Sequence, residues 1–213
     1  MPSRVASCSA EASSPRPFSG TFARIMHLYY FAYGSNLHPA RMQARAPSAE
    51  FVETAVLPDR ALRFCKRGAD GSAKCTLVPA LGSRVFGAVY RIAEPDKAPL
   101  DRAEGLGQGY EEQWQGLPLS DGVVRTFHYY ASEGYVDASL QPYHWYKDLV
   151  LLGARYHAFP AAYVAAIEAV TSLADTDAHR CRQNEAILDI CRSALAHESL
   201  IRPQAAAAVS RTE

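Results

Sequence analysis

Residues 28–44 read LYYFAYGSNLHPARMQA, and the reading of this stretch decides the fold. Leu28–Tyr33 is an unbroken apolar and aromatic run, the mark of a buried strand. Gly34-Ser35-Asn36 breaks it. A short helix follows over His38–Ala44, with Pro39 in the first turn, where a missing N–H costs nothing. A strand that hands over to a helix through small residues leaves successive backbone N–H groups free to hold an anion. Gly34, without a Cβ, lets a ligand come close to the main chain. Tyr30 and Tyr33 are placed to wall such a pocket and to donate hydroxyl hydrogen bonds. No G-K-[ST] follows, so the loop is not a phosphate P-loop, and taken alone it also reads as an ordinary strand-to-helix turn.

Working outward, strands are expected over 51–57, 61–66, 74–78, 84–92 and 123–131, separated by Pro58-Asp59, Gly68–Gly71 and Asp121-Gly122. Gly87, inside one of these runs, marks a bulge or a point of close approach. Helices are expected over 95–104, 143–152, 160–174 and 181–200. In the last, Ile187, Leu188, Cys191, Ala194 and Leu195 recur at helical spacing. Strands at irregular intervals, without regular βαβ alternation, predict an α+β fold: a small mixed β-barrel or sheet with peripheral helices. Residues 1–25, rich in Ser, Ala, Pro and Arg, are expected to be a disordered tail, with Met26 the natural start. Residues 26–175 form the expected domain, and 176–213 a helical extension and tail.

The 213 residues carry 22 Lys and Arg against 22 Asp and Glu, a formal charge of zero. Such a chain has no general electrostatic grip on a phosphate backbone, so no nucleic-acid partner is expected. No apolar run approaches the roughly 20 residues that span a bilayer, so no membrane partner is expected either. The five cysteines form no C-x-x-C pair, and the histidines form no H-x-x-x-H or H-E-x-x-H pair. Reduced thiols in a cytoplasmic protein with neither metal nor cofactor are the expectation, as a monomer or a homodimer.

Two further segments carry chemistry. In Leu100-Asp101-Arg102-Ala103-Glu104-Gly105, Glu104 follows Leu100 by one helical turn and shares its face. Apolar surroundings and the negative end of the helix dipole both disfavour a carboxylate, which suits a group that trades protons. Asp101 is expected to be an exposed neighbour without a role. In Tyr143-His144-Trp145-Tyr146-Lys147, aromatic density near a helix start serves either a pocket wall or the core. Ser35 has no His or Asp partner evident in the sequence, so a serine nucleophile is not supported.

In order along the chain, Tyr30–Leu37, Leu100-Asp101-x-x-Glu104-Gly105, Tyr110, Tyr146-Lys147 and Leu152-Gly153-Ala154 resemble the γ-glutamylcyclotransferase family, over roughly residues 28–174. The resemblance implies one pocket. In it, Gly34, Ser35 and Asn36, with Tyr30, Tyr33 and Tyr146, hold a γ-glutamyl group, and Glu104 is the general acid and base. It also implies that the partner is a small γ-glutamyl compound, cyclised to 5-oxoproline with release of an amine or amino acid. Asn36 is closer to this branch than to the glutathione-specific relatives, whose loop usually carries Leu there. The alternatives are a γ-glutamylamine or pathway-specific γ-glutamyl-amide deprotecting enzyme, and a non-catalytic binding module using the same loop.

Overall fold

A computed structural model of the chain describes residues 26–209; the expected tail, 1–25, lies outside the described residues. In chain order the elements are β1 (His27–Ala32), α1 (Pro39–Arg45), β2 (Glu50–Arg67), β3 (Ala73–Ala93), α2 (Lys97–Glu104), β4 (Tyr110–Leu119), β5 (Gly122–Ala131), α3 (His144–Tyr156), α4 (Ala161–Glu168) and α5 (Ala178–Val209). The five strands form one sheet in the order β2-β3-β1-β5-β4. The α+β expectation holds, and of its two forms the structure takes the mixed sheet, with β2 and β4 at its edges.

β1 lies at the centre because its sequence can be buried from both sides. It pairs antiparallel with β3 and parallel with β5, and Phe31 and Ala32 are fully buried. A strand with both edges paired and both faces covered needs a continuous apolar run rather than alternation. Gly87 makes this packing possible: a Cβ there would stand 2.4 Å from the Phe31 ring and 2.6 Å from the Ala32 carbonyl oxygen. The close-approach reading of Gly87 therefore applies. The register shifts of the hairpin fall elsewhere, at Phe51/Glu53, Pro58/Arg60 and Phe64/Lys66.

The four short strands expected over 51–66 and 74–92 are two long ones. Pro58-Asp59 does not end β2, because the irregularity is absorbed in place. Asp59 adopts a φ of 54°, and its carboxylate accepts the Gly82 N–H at 2.8 Å from the bulged partner strand. The strand β4 was not expected at all. It is a polar edge strand containing Gly116 and Pro118, and an edge tolerates proline because its outer N–H groups have no ladder partner to lose.

The helices cover the sheet and enclose the loop after β1. In α3, Leu149, Val150 and Ala154 are fully buried, and each buried leucine of this kind contributes about 1.5–3 kcal/mol. Gly153 lets α3 pack against the loop, since a Cβ there would meet the Leu37 Cβ at 2.3 Å. The C-terminal helix α5 lies against α3, with Leu188 and Cys191 fully buried. Its start is pinned by Asp175, which accepts from Trp145 Nε1 at 2.8 Å and from Arg180 Nε at 2.6 Å. The apolar stripe read in 181–200 is thus spent on the chain's own domain. No helix among the described residues is long and apolar enough to cross a membrane.

Candidate active site

The chain leaves β1 through a tight turn in which the Leu37 N–H donates to the Gly34 carbonyl at 3.1 Å. Ser35 and Asn36 are buried, and their backbone N–H groups make no hydrogen bond within the described chain. His38 caps α1 by accepting the Ala40 N–H on Nδ1 at 3.2 Å. That helix carries Arg41 and Arg45 one turn apart. From the other side comes α2, anchored by the fully buried Leu100. It is stopped by Gly105 at a φ of 79°, whose N–H closes on the Asp101 carbonyl at 2.9 Å.

This stop places Glu104 against the loop. Its Oε1 accepts from Asn36 Nδ2 at 2.9 Å and from Arg45 Nη1 at 2.8 Å. Its Oε2 makes no hydrogen bond, and the side chain is 15% exposed. One carboxylate oxygen is therefore held by the protein, and the other is left for a ligand or a proton.

Around Glu104 stands a ring of tyrosines. Tyr33 donates its hydroxyl to the Tyr129 carbonyl and Tyr110 to the Cys75 carbonyl, each at 2.5 Å. Tyr146 accepts the Cys75 N–H at 3.0 Å, and Tyr30 accepts from Asn36 Nδ2 at 3.3 Å. Burial, more than any neighbour, pushes the hydroxyls of Tyr30, Tyr33, Tyr110 and Tyr146 far above the ordinary tyrosine range. It does the same to the Cys75 thiol. These groups stay protonated, so they position and donate but do not act as bases, and Cys75 is not a nucleophile.

The residues singled out in the sequence, Tyr30, Tyr33, Gly34, Ser35, Asn36, Glu104 and Tyr146, all line one small hollow of about 20 Å³. It adjoins a cleft of about 580 Å³ that shares Ser35, Glu104, Tyr110 and Tyr146. No histidine lines either space, so Ser35 gains no activating base. Another cavity, about 480 Å³ between the β2–β3 hairpin and α4, is lined by Leu62, Phe64, Tyr163 and Ile167 and has no carboxylate. It contributes nothing to this site.

Three participants escaped the sequence reading. Arg45 carried no signal beyond its place one turn after Arg41. Lys66 lines the cleft from β2. Asp101, expected to be exposed and idle, accepts the Tyr129 hydroxyl at 2.5 Å and pairs with Lys97. It thereby ties α2 to the strand whose carbonyl holds Tyr33.

The family model described as gamma-glutamyl cyclotransferase, AIG2-like, matches residues 30–148, which contain the whole hollow. The chain belongs to this family. A γ-glutamylcyclotransferase of Mus musculus is 32% identical over 149 residues, 66% of this chain and 77% of that one. The Bos taurus protein of the same name is 28% identical over 169 residues, covering 76% and 87%. Among solved structures, a γ-glutamyl cyclotransferase superposes with a TM-score of 0.67 at 26% identity, over 79% of this chain and 99% of the other. Family membership makes the protein a γ-glutamylcyclotransferase-like enzyme. The matched segment stops inside α3, yet the cleft of this family member is completed by Asn184 of α5.

Proposed function

We propose that the protein converts a γ-glutamyl amino acid or amide to 5-oxoproline and the free amine, with Glu104 as the proton carrier. The substrate's α-amino nitrogen attacks its own γ-carbonyl carbon. A carbon–nitrogen bond forms to close the five-membered lactam, and the bond to the departing nitrogen breaks. Glu104 carries two protons in turn from the attacking to the leaving nitrogen: one freed from the α-ammonium before attack, and one shed once the new bond has formed. The lactam N–H is then neutral, the amine departs as its ammonium and no water is consumed. A single positioned carboxyl performing both transfers is worth about 10²–10⁴ in rate.

The observation that carries this reading is the half-occupied carboxylate of Glu104. Oε1 is fixed by Asn36 and Arg45, whereas Oε2 is free, in a hollow whose other titratable groups are held neutral by burial. The unpaired N–H groups of Ser35 and Asn36 supply donors for the α-carboxylate of the glutamyl group. Holding that end folds the chain so that amine and carbonyl meet, an intramolecular advantage that the site preserves by positioning. The other wall is Tyr146, with Tyr30 and Tyr33 behind the loop. No step calls for a redox centre or a Lewis acid.

The test is incubation of the purified protein with a panel of γ-glutamyl dipeptides, γ-glutamyl-lysine and glutathione, with 5-oxoproline measured. Release from at least one class is expected, and no release from any would overturn the proposal.

A further inference from the structure

The cleft beyond the hollow is lined by six cationic side chains, and three of them have a counter-ion. Arg45 is paired with Glu104, Lys74 with Asp70 at 2.7 Å, and Arg67 with Asp137 at 3.1 Å. Of the other three, Arg41, Lys66 and Arg102, Lys66 is the least exposed. It is 5% exposed, and no acidic side chain among the described residues pairs with it. A one-residue bulge at Cys65 sets Lys66 opposite Lys74 across the ladder. That arrangement brings two ammonium groups to facing positions, where like charges repel. Aromatic faces hold the ammonium in place: the Tyr110 ring centroid lies 4.4 Å from Nζ and that of Tyr135 lies 5.9 Å away. The segment carrying Tyr135 is itself strapped to β2, through the Lys66–Val136 bridge and the Asp137 N–H to the Cys65 carbonyl at 2.7 Å.

A buried cation without a partner is costly, and ring faces compensate only part of its lost hydration. A site that keeps one, fixed between two aromatic rings and open to a cleft, is built to receive an anion. The position of Lys66 says which anion. The glutamyl end belongs with the loop and Glu104 in the hollow, whereas Lys66 and Tyr135 lie outside the hollow in the adjoining cleft, beyond Tyr110. The part of a substrate that reaches there is the leaving group.

We infer that Lys66 is a specificity-determining residue that binds a carboxylate on the leaving amine, and so favours γ-glutamyl substrates whose departing group is an α-amino acid over those releasing an uncharged amine. This rests on the cyclotransferase reading of the same site. Burial lowers the affinity of Lys66 for its proton, and the nearby Glu104 partly restores it. An arriving carboxylate acts in the same direction as Glu104 and secures the charge.

The experiment compares γ-glutamyl-alanine with γ-glutamyl-alaninamide, which differ in the carboxylate alone. Each is titrated calorimetrically into the wild-type protein, Lys66→Met and Lys66→Gln, and 5-oxoproline release is followed in parallel. The wild type is expected to bind the acid roughly tenfold to a hundredfold more tightly than the amide, the range of a charged hydrogen bond. In both variants that preference collapses, while binding of the amide is unchanged. A wild type without preference, or variants that weaken both ligands equally, would overturn the inference. If neither variant folds, the wild-type comparison still decides: tighter binding of the acid than of the amide supports the subsite, and equal binding of the two rejects it. Preference in binding without any 5-oxoproline removes the cyclotransferase reading and leaves the subsite standing. Equal release from both substrates with no binding preference does the reverse.

Discussion

Asn36 and Glu104 are 68 positions apart in the chain, and the amide of one donates to the carboxylate of the other at 2.9 Å. This contact joins the loop after the central strand to the C-terminal end of α2, so the main chain proposed to hold the substrate's carboxylate and the proposed proton carrier share one frame. Arg45 completes the frame from α1 at 2.8 Å. The carboxylate is thereby aimed before any substrate arrives, which is the condition for efficient positioning catalysis.

Replacing Glu104 with Gln keeps the shape and an oxygen for Asn36 and Arg45, but removes the proposed proton carrier. Release of 5-oxoproline is expected to fall by about 10²–10⁴, with the thermal midpoint shifted by a few degrees at most. Steady-state kinetics beside a melting curve checks both, and near-native turnover would reassign the role.

Asn36→Leu tests the frame rather than the carrier. The substitution deletes the donor to Oε1 and leaves Glu104 held by Arg45 alone. A hydrogen bond to a charged group contributes about 1.5–3 kcal/mol, so kcat is expected to drop by roughly tenfold or more, with KM changed less. Stability should hold, because the same substitution removes the buried Asn36 Oδ1, which has no partner. An unchanged kcat would show that Arg45 suffices.

Much of this site was legible because its pieces are local. Tyr30 to Asn36 form a strand end and a turn, and Glu104 follows Leu100 by one helical turn; both patterns are written in adjacent residues. Arg45 and Lys66 were not legible, since their roles depend on which surfaces meet across long sequence separations. Nothing in α1 alone says that Arg45 faces the end of α2, and nothing in β2 alone says that a bulge at Cys65 turns Lys66 into the cleft. The sheet shows the same division. β1 announces itself by its apolar run, whereas β4 is polar and carries Pro118, as an edge strand can. Pro58-Asp59 looked like a strand end because the Asp59–Gly82 contact that carries β2 through it comes from the partner strand.

Gly87→Ala probes the sheet centre that supports the loop. The added methyl would overlap the Phe31 ring and the Ala32 carbonyl oxygen, and the latter is backbone that cannot rotate away. Overpacking of this kind costs about 1–3 kcal/mol or more. For a domain of this size that corresponds to a fall in Tm of several degrees. Turnover at low temperature should fall as well, since β1 carries the loop. A melting curve matching the wild type would mean that β1 and β3 can separate without loss.

Stability should also depend on mildly acid pH through two histidines outside the site. His38 and His128 are each 1% exposed. Burial, aided by His157 at the first and Arg60 at the second, lowers each imidazole from 6.5 to about 4. Between those values the unfolded chain binds protons that the folded chain refuses, so stability falls as pH falls. Each contribution is fully present above about pH 6.5 and gone below about pH 4, worth at most about 3 kcal/mol per histidine. Protonating His38 also removes the Nδ1 acceptor that caps α1. Asp175, held low by Arg180, starts from 3.8 in the unfolded chain and loses its contribution only below that value, so its loss falls beneath most of this window. Urea unfolding at about pH 7 and about pH 4.5 measures the slope. His38→Asn supplies a cap acceptor that does not titrate, and it is expected to remove roughly half of the pH dependence. A slope identical to the wild type would place the acid sensitivity elsewhere.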